Sequence, residues 1–179
     1  MAARAQDRDR FNIGLHYNPP IDNTISTFSG GVDLRVRAVS LGVFNLGGGL
    51  SASYRSLDSE LIKDFVVFNP QIYVEVQPFD FALKPYFAVG YAFYSEEYNF
   101  EQPNYYTPDQ YDAAFSNTLD PSVNYSGVTL AAGARFDFAR FLFADVGLKY
   151  FSLQSDENLN RVLKNKSYGT IHLGFGFRF

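Results

Sequence analysis

The sequence contains no cysteine and no tryptophan, and no apolar run in it is long enough for a membrane-spanning helix. A transmembrane helix needs about 20 consecutive apolar residues, so a helical membrane protein is excluded. The lack of cysteine excludes a disulfide framework and cysteine-based metal sites. Basic residues are also few, with 15 Lys and Arg against 19 Asp and Glu. The resulting net charge of −4 disfavours nucleic-acid binding.

Aromatic residues are abundant instead, at 18% of the chain, with 19 Phe and 13 Tyr. The hydrophobic share, at 46%, is that of an ordinary soluble protein. A transmembrane β-barrel combines these two properties, because its strands expose only alternate residues to lipid and carry aromatic residues at the membrane boundaries. With tryptophan absent, Tyr and Phe would have to form those boundaries.

Alternation of apolar and polar residues predicts eight β-strands. It is clearest at the C-terminal end, where one face carries Ile171, Leu173, Phe175, Phe177 and Phe179 and the other is polar or glycine. The same alternation places the other strands near residues 11–17, 32–38, 46–55, 71–77, 86–93, 128–138 and 142–150. An even number of strands returns both ends of the chain to the same side of a membrane.

The segments between these strands alternate in length. Long polar segments lie near 18–27, 56–65, 95–124 and 153–166, and short turns lie near 39–45, 78–84 and 139–141. Outer-membrane barrels have long loops outside and short turns in the periplasm. We therefore predict an all-β fold over residues 10–179, an eight-stranded antiparallel up-and-down transmembrane β-barrel in a bacterial outer membrane, with periplasmic termini.

Residues 1–9 are predicted to form an N-terminal tail at a signal-cleavage site. The run Ala3-Arg4-Ala5 has the small-x-small pattern that ends a secretory signal, with cleavage before Gln6. An arbitrary N-terminal segment is the alternative.

Charged residues fall on the non-apolar face of the predicted strands, which favours a membrane barrel over a soluble one. An eight-stranded barrel has a narrow interior, which small residues and paired charges fit better than stacked Phe and Leu. One Arg or Lys at the lipid midplane would cost roughly 2–4 kcal/mol. The alternative is a soluble barrel with these charges in water. The predicted lumen charge network comprises Asp33, Arg35, Arg37, Arg55, Glu75, Lys84, Arg135, Asp137, Asp145, Lys149 and Arg178.

The C-terminal strand finishes with the run His172-Leu173-Gly174-Phe175-Gly176-Phe177-Arg178-Phe179. This run resembles the β-signal that the barrel-assembly machinery reads in outer-membrane proteins. The resemblance implies that His172, Gly174, Phe177 and Phe179 carry the signal. Over its whole length the chain resembles the OmpA-like and OmpX-like eight-stranded barrels, which implies outer-membrane lipid and the assembly machinery as partners.

The sequence shows no catalytic, cofactor-binding or metal-binding motif, and we predict a protein without cofactor or metal. His16 and His172 lie on the first and last strands, which pair when the barrel closes, and both are predicted to face inward. A metal-binding or proton-linked pair is one interpretation; the preferred one is membership of the lumen hydrogen-bond network. Lipid-modifying barrel enzymes need a His and a Ser that lipid can reach. Ser152 on the predicted lipid face has no His on its strand, so we predict no enzyme.

The segment 95–124 is the longest predicted external loop. It has several acidic residues, among them Glu96, and no Lys or Arg occurs between Lys84 and Arg135. Tyrosine suits recognition of proteins or glycans, so Tyr98, Tyr105, Tyr106 and Tyr111 are the candidate recognition residues. The alternative is a solvated loop, its charge balanced by Arg161, Lys164 and Lys166 in the fourth loop.

The sequence thus predicts a monomeric, non-enzymatic outer-membrane protein with a structural or surface-recognition role. A protein or a glycan is the expected external ligand, and no nucleic acid is expected. Two alternatives stay open, a narrow pore for small solutes and a lipid-modifying enzyme.

Overall fold

The computed structural model describes residues 10–21, 29–56, 62–77, 82–98, 122–155 and 165–179. Within these ranges the chain forms eight strands: β1 (Phe11–Asn18), β2 (Ser29–Leu41), β3 (Phe44–Ser56), β4 (Ile62–Val76), β5 (Leu83–Tyr98), β6 (Ser122–Ala139), β7 (Leu142–Gln154) and β8 (Asn165–Arg178). The predicted tail, residues 1–9, lies outside them. No helix in the described ranges is long and apolar enough to cross a membrane.

The strands form a closed antiparallel barrel in which each strand pairs with its neighbours in sequence. The predicted fold is therefore confirmed. The barrel closes where β1 pairs with β8, a ladder of six residue pairs that runs from Asn12–Arg178 to Tyr17–Leu173. The ladder between β5 and β6 has fifteen pairs. We call the junction of β1 and β8 the closing seam.

The two ends of the barrel differ in their connections. At one end, β2 and β3 are joined by two residues, of which Gly42 has a positive φ of 64°, and β6 and β7 by Arg140 and Phe141. A positive φ suits glycine in such a tight hairpin. Strand β1 begins and strand β8 ends at this same end, where the backbones of Phe11 and Phe179 exchange two hydrogen bonds. We call it the turn end, and the opposite end the loop end.

Several strands reach further toward the loop end than the sequence predicts. Strand β4 begins at Ile62, β5 continues to Tyr98, and β6 begins at Ser122. Strand β4 also contains Pro70, which pairs with Leu50 of β3. The pairing with β5 is missing at residues 69 and 70 and resumes in the same register at Gln71, as expected because proline has no N–H to donate.

The outer face of the barrel is apolar and the inner face mostly polar, as predicted. Leu15 and Ile72 on the outer face are 69% and 71% exposed, although both are large apolar residues. Every strand exposes such side chains, for example Val32, Leu46, Phe87, Val128, Leu148 and Phe175. Burial of charge inside and exposure of apolar surface outside is the reverse of a soluble barrel, and it fits a protein whose outer surface contacts lipid.

Candidate functional site

The lumen is filled by two layers of side chains. Toward the turn end lies a layer that we call the charged half: Asp33, Arg35, Arg37, Glu75, Lys84, Arg135, Asp137, Asp145 and Lys149. Toward the loop end lies a layer that we call the aromatic half: Phe65, Val67, Ala92, Tyr94, Val123, Tyr125, Phe151, Leu153 and Tyr168. The charged half draws its residues from β2 and from β4 to β7, and the aromatic half from the five consecutive strands β4 to β8.

Two carboxylates organise the centre of the charged half. Glu75, only 1% exposed, lies between two guanidinium groups, with its Oε1 at 3.6 Å from Arg37 and its Oε2 at 3.2 Å from Arg135. Asp145 lies 2.9 Å from Arg35. Buried charges are tolerated in a protein only when they are paired in this way. Five residues of the predicted lumen charge network therefore form one connected set of ion pairs: Arg37, Glu75, Arg135, Asp145 and Arg35.

Tyr86 reinforces the network from a position that sequence reasoning did not include. Its hydroxyl donates a hydrogen bond of 2.8 Å to Asp145, and its ring lies 4.7 Å below the guanidinium of Arg35. Gly133 and Gly147 make room for that hydroxyl, because a Cβ on either residue would lie 2.7–2.8 Å from it. The alternation of β5 places Tyr86 on the inner face, and that signal could have identified it.

A second group of charges closes the turn end. Lys84 Nζ lies 2.5 Å from Asp137 Oδ2, and Arg178 contacts the same carboxylate. Arg178 also donates to the backbone carbonyl oxygens of Arg140 and Ala139, at 2.9 and 3.3 Å. The group ties β5 and β8 to the turn between β6 and β7.

The three remaining residues of the predicted lumen charge network are Lys149, Arg55 and Asp33. Lys149 is buried as predicted, and its Nζ donates to Ser51 Oγ over 3.3 Å. The side chain of Arg55 lies outside the described part of the structure. Asp33 lies between His16 and His172, whose ring nitrogens are 3.1 and 3.3 Å from its Oδ2.

The two histidines do meet across the closing seam. The centroids of their rings are 5.3 Å apart, and both side chains are buried in the lumen. His16 lies beside Gly31 of β2 and Gly174 of β8 in the strand registers. A Cβ on Gly31 would lie 2.7 Å from His16 Nε2, so glycine provides the space that the imidazole occupies.

The aromatic half is held together by ring packing. Phe65 stacks on Tyr94 with centroids 5.4 Å apart, and Phe151 stacks on Tyr168 at 4.7 Å. Tyr125 meets Tyr94 edge-on at 5.9 Å. Pairs of this kind contribute roughly 0.5–1.5 kcal/mol beyond the burial of their area.

One ion pair lies within the aromatic half and corrects the prediction for two residues. Glu96, predicted in an external loop, is 1% exposed in β5 and accepts a hydrogen bond of 2.6 Å from Tyr94. Its partner Lys166, predicted in the fourth loop, belongs to β8 and lies 4.7 Å from the ring of Tyr125. The two residues do balance each other's charge, but inside the barrel.

Other predicted site residues lie on the outer face or outside the described ranges. Of the assembly-signal residues, His172 faces the lumen, Gly174 lies beneath it, and Phe177 and Phe179 are exposed on the outside. Their role in assembly stays a prediction. Tyr98 is the last residue of β5, with a side chain that is not described. Tyr105, Tyr106 and Tyr111 fall outside the described residues.

An apolar outer face around an ion-paired lumen, in a closed barrel with long connections at one end, defines a transmembrane β-barrel. The chain belongs to the family of the outer membrane protein beta-barrel domain, whose model matches residues 1–179. It is therefore a protein of the bacterial outer membrane. A comparison with curated protein sequences gave no match.

Solved structures share the fold at low sequence identity. Ail, the attachment invasion locus protein of Yersinia pestis, is 16% identical with a TM-score of 0.59, covering 96% of this chain and 98% of its own. The N-terminal barrel domain of Pseudomonas aeruginosa OprF is 14% identical with a TM-score of 0.61 and the same coverages. The outer membrane enzyme PagL is 12% identical with a TM-score of 0.52, covering 94% of this chain and 99% of its own. Since these relatives include an enzyme, the fold does not define the activity.

Proposed function

We propose that this protein is a monomeric, non-enzymatic outer-membrane barrel, closed to solutes, that uses its long connections for contact with an external partner. The observation that carries the proposal is the filling of the lumen by two different layers. A barrel whose interior is occupied by ion pairs and stacked rings leaves its loop end as the surface available for recognition.

A narrow pore is the first alternative, and the filled lumen argues against it. An ion that entered the charged half would have to separate the Glu75–Arg135 and Asp145–Arg35 pairs, both of which are buried. Breaking a buried pair is strongly unfavourable. We expect no steady single-channel conductance from protein reconstituted in a planar bilayer. Reproducible steps of current with wild-type protein would contradict the closed barrel.

A lipid-modifying enzyme is the second alternative. The sequence has two histidines, and both are buried in the lumen, on the opposite face from the lipid-facing Ser152. A Ser–His pair in contact with lipid is therefore not available. We expect mass spectra of lipid A to be unchanged when the protein is produced in a host that lacks it. Loss or gain of an acyl chain would overturn the proposal.

The long connections carry negative charge, which restricts the partner. From the sequence, residues 22–28 have a net charge of −1, residues 57–61 of −2, residues 99–121 of −4, and residues 156–164 of zero, −7 in all. One structure of Ail was solved in complex with a heparin analogue, sucrose octasulfate. A polysulfated ligand would be repelled here, so we propose a neutral or basic protein or an uncharged glycan.

Binding by intact cells tests this partner chemistry. We expect cells that display the protein to bind uncharged glycans or basic proteins on an array and to leave sulfated glycans unbound. Replacing Tyr105, Tyr106 and Tyr111 by serine should abolish the binding. Replacing Gln102, Asn104 and Gln110 by serine is the matched control and should preserve it. Preferred binding to sulfated glycans, or equal loss in both triple variants, would contradict the proposal.

The orientation is tested by cysteine labelling, which has no background because the chain lacks cysteine. We propose that the turn end faces the periplasm. In intact cells an impermeant maleimide should label Ser116→Cys, in the segment 99–121, but not Arg140→Cys. Arg140→Cys should react only after the outer membrane is permeabilised. The reverse labelling pattern would place the long connections in the periplasm.

A further inference from the structure

Three buried side chains at the closing seam offer ligand atoms to a metal ion. His16 lies on β1, Asp33 on β2 and His172 on β8. One ligand atom from each lies within 4.8 Å of the other two. We propose that these residues bind a divalent transition-metal ion, with zinc as the preferred ion, and that the ion joins the strands on both sides of the seam.

The outer nitrogen of each imidazole is already engaged in a hydrogen bond. His172 Nδ1 donates to Asn18 Oδ1 over 2.9 Å, while the amide nitrogen of Asn18 donates to Ser53 Oγ at 3.5 Å. His16 Nε2 shares a hydrogen bond of 2.7 Å with the same Ser53 hydroxyl. Metal-bound histidines are held in this manner, with the second ring nitrogen donating to a neighbouring acceptor. Neutral His172 therefore has its proton on Nδ1 and directs the lone pair of Nε2 inward.

The inner atoms converge without satisfying one another. His16 Nδ1 and His172 Nε2 lie 3.1 and 3.3 Å from Asp33 Oδ2. Neither nitrogen, nor Asp33 Oδ1, has a hydrogen-bond partner among the described residues, and such buried atoms are rare in folded proteins. A single proton shared with Asp33 would satisfy only one imidazole. A metal ion would satisfy both imidazoles and the carboxylate, because each lone pair becomes a coordinate bond.

The distances of the two imidazole nitrogens from Asp33 fit the coordination sphere of zinc. Bonds of about 2.0–2.1 Å in a tetrahedral site place neighbouring ligand atoms roughly 3.3–3.5 Å apart, close to the two distances from Asp33. Two imidazoles and one carboxylate favour zinc and its neighbours over calcium or magnesium, which prefer oxygen ligands. A cavity of about 10 Å³, lined in part by Asp33, Asp145 and His172, has room for one water molecule as the fourth ligand.

Among the described residues, the two imidazoles are the basic groups in direct contact with Asp33, and the charges of Lys149 and Arg35 act on it from further away. The nearby cations have other direct partners, since Arg35 contacts Asp145 at 2.9 Å and Lys149 donates to Ser51. A second carboxylate, that of Asp145, has its Oδ1 at 4.0 Å from His172 Nε2. Its negative charge further favours a cation at this place.

The location of the site suggests what the ion does. The closing seam is a ladder of six residue pairs, extended toward the loop end by a bridge between Pro20 and Thr170. The ion would bind residues of β1 and β8 together with the adjacent β2. The three side chains are buried, Asn18 on the loop-end side hydrogen-bonds to His172, and the Glu75 and Asp137 ion pairs lie between the site and the turn end. The ion would therefore bind before the barrel closes and exchange slowly afterwards.

The test is to refold the protein with and without metal. Protein without a histidine tag is refolded from denaturant into detergent micelles with zinc, dialysed against EDTA, and analysed for metal by mass spectrometry. We expect one zinc ion to be retained per chain, and zinc to raise the temperature at which the compact gel band converts to the unfolded band. Refolding with cobalt should give the visible absorption of a tetrahedral site with nitrogen and oxygen ligands.

Two substitutions and a control locate the ion. His16→Gln and Asp33→Asn should each reduce the retained zinc at least tenfold, while Thr129→Val, a buried lumen residue near the aromatic half, should keep it. Wild-type barrel that folds but retains no zinc would overturn the proposal, as would equal retention in all variants. If the two variants do not fold, the cobalt spectrum of the wild-type protein decides the question. Absorption bands that are missing, or that are typical of octahedral cobalt, would be enough to overturn the proposal.

Discussion

The charged half and the aromatic half of the lumen fill the same narrow barrel by different physical means. In the charged half, side chains from separate strands are joined by ion pairs, such as the two guanidinium groups that share Glu75. In the aromatic half, stacked rings fill the space, and the Glu96–Lys166 pair lies among them. The stability of the charged half depends on the presence of every ion-pair partner, and that of the aromatic half depends on the volume that the rings fill.

This difference predicts unequal responses to substitution. Removing one member of a buried ion pair leaves an uncompensated charge in a place that water does not reach. Replacing an aromatic side chain by a smaller one removes packing contacts in proportion to the number of atoms removed. The charged half should therefore respond to single substitutions in an all-or-none manner, and the aromatic half in a graded one.

The largest effect is expected for Glu75→Ala, which leaves Arg37 and Arg135 facing each other without their carboxylate. Loss of one partner of a buried pair costs about 3–5 kcal/mol, and we expect a decrease of that size in the free energy of unfolding, measured by urea denaturation in micelles. The triple variant Glu75→Leu, Arg37→Met, Arg135→Met is the control and should recover most of the loss. If Glu75→Ala alone is as stable as the wild-type protein, the ion pairs of Glu75 contribute little to the free energy of unfolding.

A smaller loss is expected for Gly90→Ala, at the border between the two halves. The added Cβ would lie 2.6 Å from both Asn69 Oδ1 and the carbonyl oxygen of Pro70. Overpacking of this kind costs about 1–3 kcal/mol, to be measured by the same urea titration. Gly48→Ala is the control, because its Cβ would lie 3.9 Å from the nearest atom outside the adjacent residues, the carbonyl oxygen of Gln71. Equal stability of both variants would mean that the backbone at Gly90 adjusts freely.

A loss of about 1 kcal/mol is expected for Phe151→Leu in the aromatic half, because the stack on Tyr168 is removed while most of the volume remains. Thermal unfolding followed by near-ultraviolet circular dichroism measures both the stability and the tyrosine signal. Ser152→Ala, on the outer face next in sequence, is the control and should leave both unchanged. A loss as large as that of Glu75→Ala would remove the distinction between the two halves.

The smallest effect is expected from salt. Raising the ionic strength from about 0.1 M to about 1 M shortens the screening length from roughly 10 Å to roughly 3 Å. The ion pairs of the charged half are buried, so the urea midpoint should stay within experimental error. A large fall with salt would show that water and ions enter the lumen.

Much of the fold could be predicted because the inner and outer faces differ chemically along most strands. From Thr170 to Arg178 of β8 apolar residues alternate with polar residues or glycine, and the charges of β2 point to one side. The prediction failed toward the loop end because residues 65–68 are apolar on both faces, which hides the period of two. Glu96 was placed outside for a different reason, since a buried acid among aromatic residues looks like a loop acid in sequence.

The candidate sites were predictable only in part. The approach of His16 and His172 follows from the closure of any barrel whose first and last strands pair. The position of Asp33 beside them depends on the register between β1 and β2, which the sequence does not show. The same holds for Tyr86, whose hydroxyl meets Asp145 only because two glycines lie opposite.

The backbone hydrogen bonds between Phe11 and Phe179 have a further consequence for the topology. Because every strand pairs with its neighbours in sequence, the end of β8 and the start of β1 lie as close together as two strands that a short turn connects. A linker between them, with new chain ends at Arg140 and Phe141, would give a circularly permuted barrel with the same ladders. In that permutant β8 would no longer end the chain. Its folding in micelles, compared with its assembly in cells, would separate the stability of the barrel from the recognition of its C-terminal strand.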